Sequence, residues 1–432
     1  FKLSSLYQVS LDGDKENYQV LFDVIGEVYK DKNGNEISES EEIFNSIRNN
    51  SSFKTNISKD CKFSNYKSIY KCIIKDNKKQ YVDIKELKEN SINDLDKNKI
   101  PLDYFFGKEP KRNYKKGIKQ VYQLYSKRNL KGLIIIKEEI DKISNQNFKK
   151  FLEFCFSSIL FNCSLMSRFR KYENTSIKMG TYYIPKLIKD NNVYLSFSRK
   201  VKSIFKAKKN IFDNEYNIPP QIFKEDASKM HNIKDSSVDL IYADPPYGDL
   251  INYSELNLVI ESWLGLDKKY INEMIIDPSS NKDEEYFFKL FKNFLIEASR
   301  VLKKNKFLIL IYHNPNLEIW RQLQRVIHSS TFELRQTLKP IRILSKNKTS
   351  SQRNTSKKTQ GFLAIVLKNN KNHKETLLKK LTIKRLNHIN RICEENGYYG
   401  IKDKFDFFIN YSLNRFEIDN SINSFLEQSD HH

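Results

Sequence analysis

Residues 18–29, YQVLFDVIGEVY, form a run of β-branched and aromatic positions that predicts a strand. Asp31-Lys32-Asn33-Gly34 follows, with the composition of a hairpin turn. Residues 38–98 are strongly polar with little sustained period, so residues 1–100 read as a small α+β module. The pattern changes near residue 101. Ile118, Val121, Tyr122, Leu124, Tyr125, Leu130, Leu133 and Ile134 recur at helical spacing across residues 113–142. Residues 148–166 are nearly continuously apolar and predict a buried helix. Residues 168–185 read as a basic, Tyr-rich loop, and residues 191–208 return to helix. Residues 101–208 thus form a helical insert.

Residues 209–370 alternate strand with helix, the signature of an α/β sheet. Strands are predicted at residues 221–224, 237–243 (buried), 306–312, 331–343 and 361–367. Helices are predicted at residues 254–264, with Ser254 as N-cap, and at 283–302 and 316–329. Residues 371–432 read as a helical tail.

Composition narrows the class. The 432 residues hold 75 Lys and Arg against 53 Asp and Glu, a net charge of +22. That balance favours a polyanionic partner, most often nucleic acid. With 29 Phe and 24 Tyr the chain can build a large core, which excludes wholesale disorder. No apolar run reaches the length of a transmembrane helix, and the first residues do not form a secretory signal. Five scattered Cys fit a reducing compartment, and Cys61 and Cys72 lack the second pair that a zinc site needs. No metal site is expected.

The chemistry concentrates where the strand SVDLIYA runs into Asp244-Pro245-Pro246-Tyr247. In open α/β sheets, ligands bind beyond the carboxyl ends of strands. Two prolines stiffen this loop and donate no N–H. The Asp244 carboxylate and the Pro245 carbonyl remain as acceptors, a pair that suits an exocyclic amino group with its two donors. Tyr247 adds a flat face for stacking on a base.

These residues resemble the signature of the amino-methyltransferases of DNA. Those enzymes use S-adenosylmethionine to methylate adenine N6 or cytosine N4. The likeness extends over SVDLIYADPPYGDLINYSELNLVIESWLG (residues 237–265), GTYYIP (180–185) with Asn192-Val193, and EASRVLKKNKFLILIYHN (297–314). It covers about residues 101–368 and implies a class I, Rossmann-like methyltransferase sheet in the core at residues 209–370. Carried over by position, Asp244 and Pro245 accept from the target amino group. Pro246 completes the rigid loop, and Tyr247 stacks on a flipped base. Asp226 matches the acidic position near the cofactor adenine and equally suits a helix N-cap. Asp244 also borders the cofactor. Asn252 and Tyr253 are expected to line the pocket, with Ser254 and Glu255 beside them. Glu255 equally suits the first turn of a helix, and His313-Asn314 ends the following strand. The resemblance further implies a bacterial, cytoplasmic, nucleoid-associated enzyme of restriction–modification, with a partnered endonuclease as an option. Adenine is the preferred target, with cytosine N4 the alternative. A non-catalytic DNA-recognition subunit is a third reading.

Six basic residues of the loop 342–358, among them Lys346, Lys348, Arg353 and Lys357, are expected to track DNA phosphates. Lys111, Arg112, Lys115, Lys116 and Lys119 form a second basic cluster within the helical insert. The family's glycine-rich cofactor turn does not occur in the sequence: the 12 Gly include no Gly-x-Gly pair. The sheet is therefore expected to be incomplete in this chain, which opens at Phe1. The strand at 237–243 should then present a bare edge, completed by an upstream segment or a second subunit that carries the glycine-rich loop.

Overall fold

The structure, a computed structural model, describes residues 19–49, 61–75, 78–83, 99–170, 177–178, 180–212, 221–267, 272–337, 341–342, 361–370, 383–395, 401–413 and 418. It is a mixed α/β protein that gathers into two compact units. The first comprises Phe1–Pro219 and Ser254–Lys269, the second Pro220–Tyr253 and Tyr270–His432.

The first unit is built on strand β1 (Gln19–Lys30). It pairs antiparallel with β2 (Glu36–Ile37), β3 (Lys62–Lys75) and β5 (Leu187–Asn191), while β4 (Lys78–Asp83) extends the sheet beyond β3. The hairpin predicted after β1 is present. The Asp31 carboxylate accepts from the backbone N–H of Asn33 and Asn35, each at 2.8 Å, and Gly34 supplies a φ of 85°. Helix α1 (Glu39–Asn49) covers this sheet and stacks Phe44 on Tyr70 with ring centroids 4.0 Å apart.

Helices α2 (Lys108–Lys111), α3 (Lys127–Asp141), α4 (Gln146–Ser157), α5 (Val193–Phe212) and α6 (Tyr253–Leu264) complete the first unit, with Tyr253 at the junction. Several of these depart from the sequence pattern. The 113–142 stretch becomes a regular helix only at Lys127, where Ser126 caps the N–H of Asn129. Before it lie two 3₁₀ turns, with Gly117 at φ 77° between them. The helix expected over 148–166 stops at Ser157, and its Phe148 and Phe154 are exposed. Strand β5 was not predicted at all, because LIKDN is too polar to stand out. It pairs with β1, so the segment read as an insert and the segment read as an N-terminal module share one sheet. Ser254 lies inside helix α6 rather than capping it.

A buried ionic network locks β1, β5 and α3 together. Asp23 and Asp190 face each other across the strand pair, and both are almost fully buried. Arg128 bridges them, and Asn129 Nδ2 and Ser126 Oγ each donate to Asp190 at 2.8 Å. Burial, reinforced by the Asp23 charge and opposed by Arg128, pushes the Asp190 carboxyl up to about 6.

The second unit holds a sheet in the order β6 (Val238–Ala243), β7 (Leu302–Tyr312), β10 (Gly361–Asn369), β8 (Phe332–Thr337), with β9 (Ile341–Arg342) pairing with β10. Strands β6 and β7 are parallel, and β10 is antiparallel to its neighbours. Helices α7 (Glu284–Val301) and α8 (Leu317–His328) have Asp283 and Asn316 as N-caps. With α9 (Ile383–Glu395) and α10 (Ile401–Ser412), they share a core around Phe287, Phe291, Leu310, Tyr312, Trp320 and Phe408.

The bare edge expected at residues 237–243 is present among the described residues, whereas two other strand expectations fail. Strand β6 is not buried. It is the edge of its sheet, and no described strand pairs with its outer side. Leu240 is 56% exposed and Tyr242 68%, on the same face as the exposed Phe307 of β7. Residues 221–224 run without strand pairing, and Ile222 is 90% exposed. These side chains are apolar because they suit a covered surface, but nothing among the described residues covers them.

Candidate active site

The Asp244-Pro245-Pro246-Tyr247 loop leaves β6 at its carboxyl end, directly after Ala243, which registers with Leu310 of the parallel strand β7. One side chain and one backbone N–H fix the loop on two sides. Asn314, just beyond β7, donates from Nδ2 to the Tyr247 carbonyl at 2.7 Å. The Oδ1 of the same buried side chain accepts from Asn316 N–H at 2.7 Å, and the backbone carbonyl of Asn314 accepts from Trp320 Nε1 at 2.7 Å. Ile276 N–H donates to the Gly248 carbonyl at 3.2 Å. Gly248 has φ 80°, and a Cβ there would meet Ile276 Cδ1 at 3.2 Å and Asn314 Nδ2 at 3.3 Å. Only glycine fits this turn without strain.

Tyr247 is half-buried in an aromatic collar. Its ring lies 5.6 Å from Tyr312, 5.6 Å from Phe362 and 6.3 Å from His313. Its hydroxyl donates to Asp244 Oδ1. Burial, followed by this bond and the Asp244 charge, holds the hydroxyl proton on well beyond the ordinary tyrosine range. One carboxylate oxygen of Asp244 is thus engaged from within the loop. The exposed Asp244 retains its second oxygen, and Pro245 its carbonyl, as acceptors.

Beside the loop lies a cavity of about 370 Å³, lined by Asp226, Asp244, Pro245 and Pro246 together with Met274, Leu290 and Phe294. Asp226 and Asp244, 18 positions apart in sequence, thus line one cavity. Asp226 is not a helix N-cap, because no helix follows it. Its Oδ1 accepts from the backbone N–H and the hydroxyl of Ser228, each at 2.8 Å, which shapes a turn. Arg300 of α7 anchors the segment beyond this turn by donating to the carbonyls of Met230 at 2.8 Å and Ile233 at 3.1 Å.

Asn252 is half-buried and Tyr253 exposed, both just past the loop. Burial and the charges of Asp244 and Glu273 raise the Tyr253 hydroxyl above its ordinary value. Glu255 is used elsewhere. It is buried in the first unit and accepts from the N–H of Lys108 at 3.1 Å and of Glu109 at 2.9 Å, capping α2. Lys346, Lys348, Arg353 and Lys357 lie outside the described residues. The second basic cluster is divided: Lys116 pairs with buried Glu27, and Arg112 with Glu109 at 3.0 Å.

Sequence reading missed the cavity residues Met274, Leu290 and Phe294, which look like ordinary core positions. It also missed the clamping role of Asn314. The position of Asn314 at a strand end beside the loop was its only signal.

Among the described residues no helix is long and apolar enough to cross a membrane. No family model matches the sequence, and no curated protein matches it. Among solved structures, the chain aligns with one named "Putative DNA Modification Methylase" from Thermus thermophilus, at 14% identity and a TM-score of 0.18. The alignment covers 41% of this chain and 64% of that one. At that score the likeness is too slight to carry fold or activity from one chain to the other.

Proposed function

We propose that this chain is the catalytic part of an S-adenosylmethionine-dependent DNA amino-methyltransferase, with adenine N6 as the preferred target and cytosine N4 as the alternative. The observation that carries this reading is the rigid Asp244-Pro245-Pro246-Tyr247 loop at the carboxyl end of a parallel strand, facing a cavity that Asp226 shares. In this reading the free Asp244 oxygen and the Pro245 carbonyl receive the two N–H groups of the amino nitrogen. They turn its lone pair toward the methyl donor. Tyr247 offers its ring to the flipped base while its hydroxyl keeps Asp244 in place. Asn252 and Tyr253 border the base.

The cavity suits part of the cofactor. Its acidic wall fits hydroxyl donors, and Met274, Leu290 and Phe294 fit a flat apolar ring. Bound S-adenosylmethionine supplies an electrophilic methyl group on sulfur. The test of function is to incubate the complete enzyme with labelled cofactor and mixed-sequence DNA, then digest to nucleosides. N6-methyladenine is the expected product. DNA binding without transfer would favour a recognition subunit. 5-Methylcytosine would overturn the reading, because it needs an accessible cysteine nucleophile at the reacting base; Cys72, Cys155, Cys163 and Cys393 are buried, and the half-buried Cys61 belongs to the first unit, not to the unit that carries the Asp244 loop.

The uncovered side of β6 supports a second element of the proposal. Parallel strands are ordinarily covered on both faces, and exposed apolar edges invite pairing. We assign to this edge a polypeptide segment outside the 432 residues, a strand leading into a glycine-rich loop that completes the cofactor site. The 432-residue chain alone should then show no micromolar binding of S-adenosylmethionine by calorimetry. Micromolar binding by the chain alone would refute this element and leave the Asp244 assignment standing.

A further inference from the structure

Helix α5 carries Arg199, Lys200, Lys202, Lys206, Lys208 and Lys209 and not one Asp or Glu. At 3.6 residues per turn, Arg199, Lys202, Lys206 and Lys209 fall within about 80° of arc and span about 15 Å of helix axis. All four are exposed. The opposite side of the helix packs on α3 and α4. Within the stripe, neighbours stand three or four positions apart, the spacing at which like charges repel on a helix surface. Phe205, beside the stripe, is 63% exposed. A stripe of mutually repelling cations next to an uncovered ring gains nothing for the fold of the unit. Both features suit a polyanion with sugar or base surface to cover. A 15 Å length of duplex carries about nine phosphates, so four cations find partners along it without rearrangement.

We propose that this face of α5 is a docking surface for the phosphate backbone of duplex DNA, carried by the first unit, whereas the Asp244 loop belongs to the second. The choice of DNA among polyanions rests on the proposed methyltransferase reading. The surface holds the protein on DNA without reading sequence.

The test compares the complete enzyme with a variant carrying Arg199→Gln, Lys202→Gln, Lys206→Gln and Lys209→Gln, and with Lys206→Glu alone. Circular dichroism checks that each is folded. Affinity for several unrelated duplexes is measured from 50 to 300 mM salt. Each lost phosphate contact should flatten the slope of log K against log salt by about 0.9. Loss of three contacts should weaken binding about a hundredfold near 0.15 M, equally for all sequences. An unchanged slope in folded variants overturns the proposal. So does loss of binding to phosphatidylserine vesicles with DNA binding intact, which would make the face a membrane contact. Asp244→Ala is measured alongside. If wild type binds DNA with the α5-dependent slope but transfers no methyl group, the methyltransferase reading fails and the docking surface survives. If wild type methylates DNA and the quadruple variant keeps its slope, only the docking surface fails.

Discussion

Asp244→Ala should slow methyl transfer by about 30- to 1000-fold, the effect of removing one positioned hydrogen-bonding group worth roughly 2–4 kcal/mol in a transition state. The loss should fall on the transfer step. Asp244 is exposed and contributes no core packing, so the melting temperature and DNA affinity should stay near wild type. Tyr247→Phe separates the two duties of the tyrosine. It keeps the ring in its collar of Tyr312, His313 and Phe362 and removes the hydroxyl that holds Asp244 Oδ1. Its loss should be smaller than that of Asp244→Ala and should appear in kcat more than in KM. Single-turnover measurements on preformed enzyme–DNA complexes distinguish these outcomes. Wild-type transfer by Asp244→Ala would remove the loop from the reaction.

Arg128→Ala should strongly destabilise the first unit. It strips the shared cation from Asp23 and Asp190, two buried carboxylates on adjacent strands. Breaking a buried pair in this way costs about 3–5 kcal/mol, a large part of the 5–15 kcal/mol that holds a typical protein folded. The network also gives stability a pH dependence. The Asp190 carboxyl is raised to about 6, so the folded state holds a proton that the unfolded chain has released. Its contribution is fully present below about pH 4 and is lost as pH rises through about 6. Asp190→Asn should flatten that part of the curve. Thermal melts between pH 4 and 7.5 measure both effects. A slope unchanged in Asp190→Asn would mean that another group titrates there.

The legible parts of the chain were those where one local rule acts. The β1 hairpin carries its turn residues in sequence, and α7 and α8 carry their caps. The loop after β6 is readable because Asp-Pro-Pro-Tyr combines stiffness, acceptors and an aromatic face in four consecutive positions. What escaped depended on distant partners. Strand β5 is polar because Asp190 answers Arg128 and Asp23, a relation that no window around LIKDN contains. The exposure of β6 could be expected only from the missing glycine turn, since SVDLIYA by itself reads as a core strand. Phe148 and Phe154 belong to a nearly continuous apolar run, which reads as core, yet both are exposed. Asn314 clamps Tyr247 across 67 residues of sequence.

The composition of the first unit has a consequence for biosynthesis. Helix α6 belongs to that unit but is encoded after β6 and the Asp244 loop. Its Trp263 packs edge-on against Tyr125 and Phe156 with ring centroids 5.6 Å away in both cases, and donates to the Tyr125 hydroxyl at 3.1 Å. Its Glu255 carbonyl receives the Tyr182 hydroxyl at 2.7 Å. On the ribosome, the first unit must therefore wait with Tyr125, Phe156 and Tyr182 unmated while residues 220–253 are translated. Domains usually close in the order in which they are made. Here closure of the first unit is delayed until the proposed catalytic loop has already left the exit tunnel.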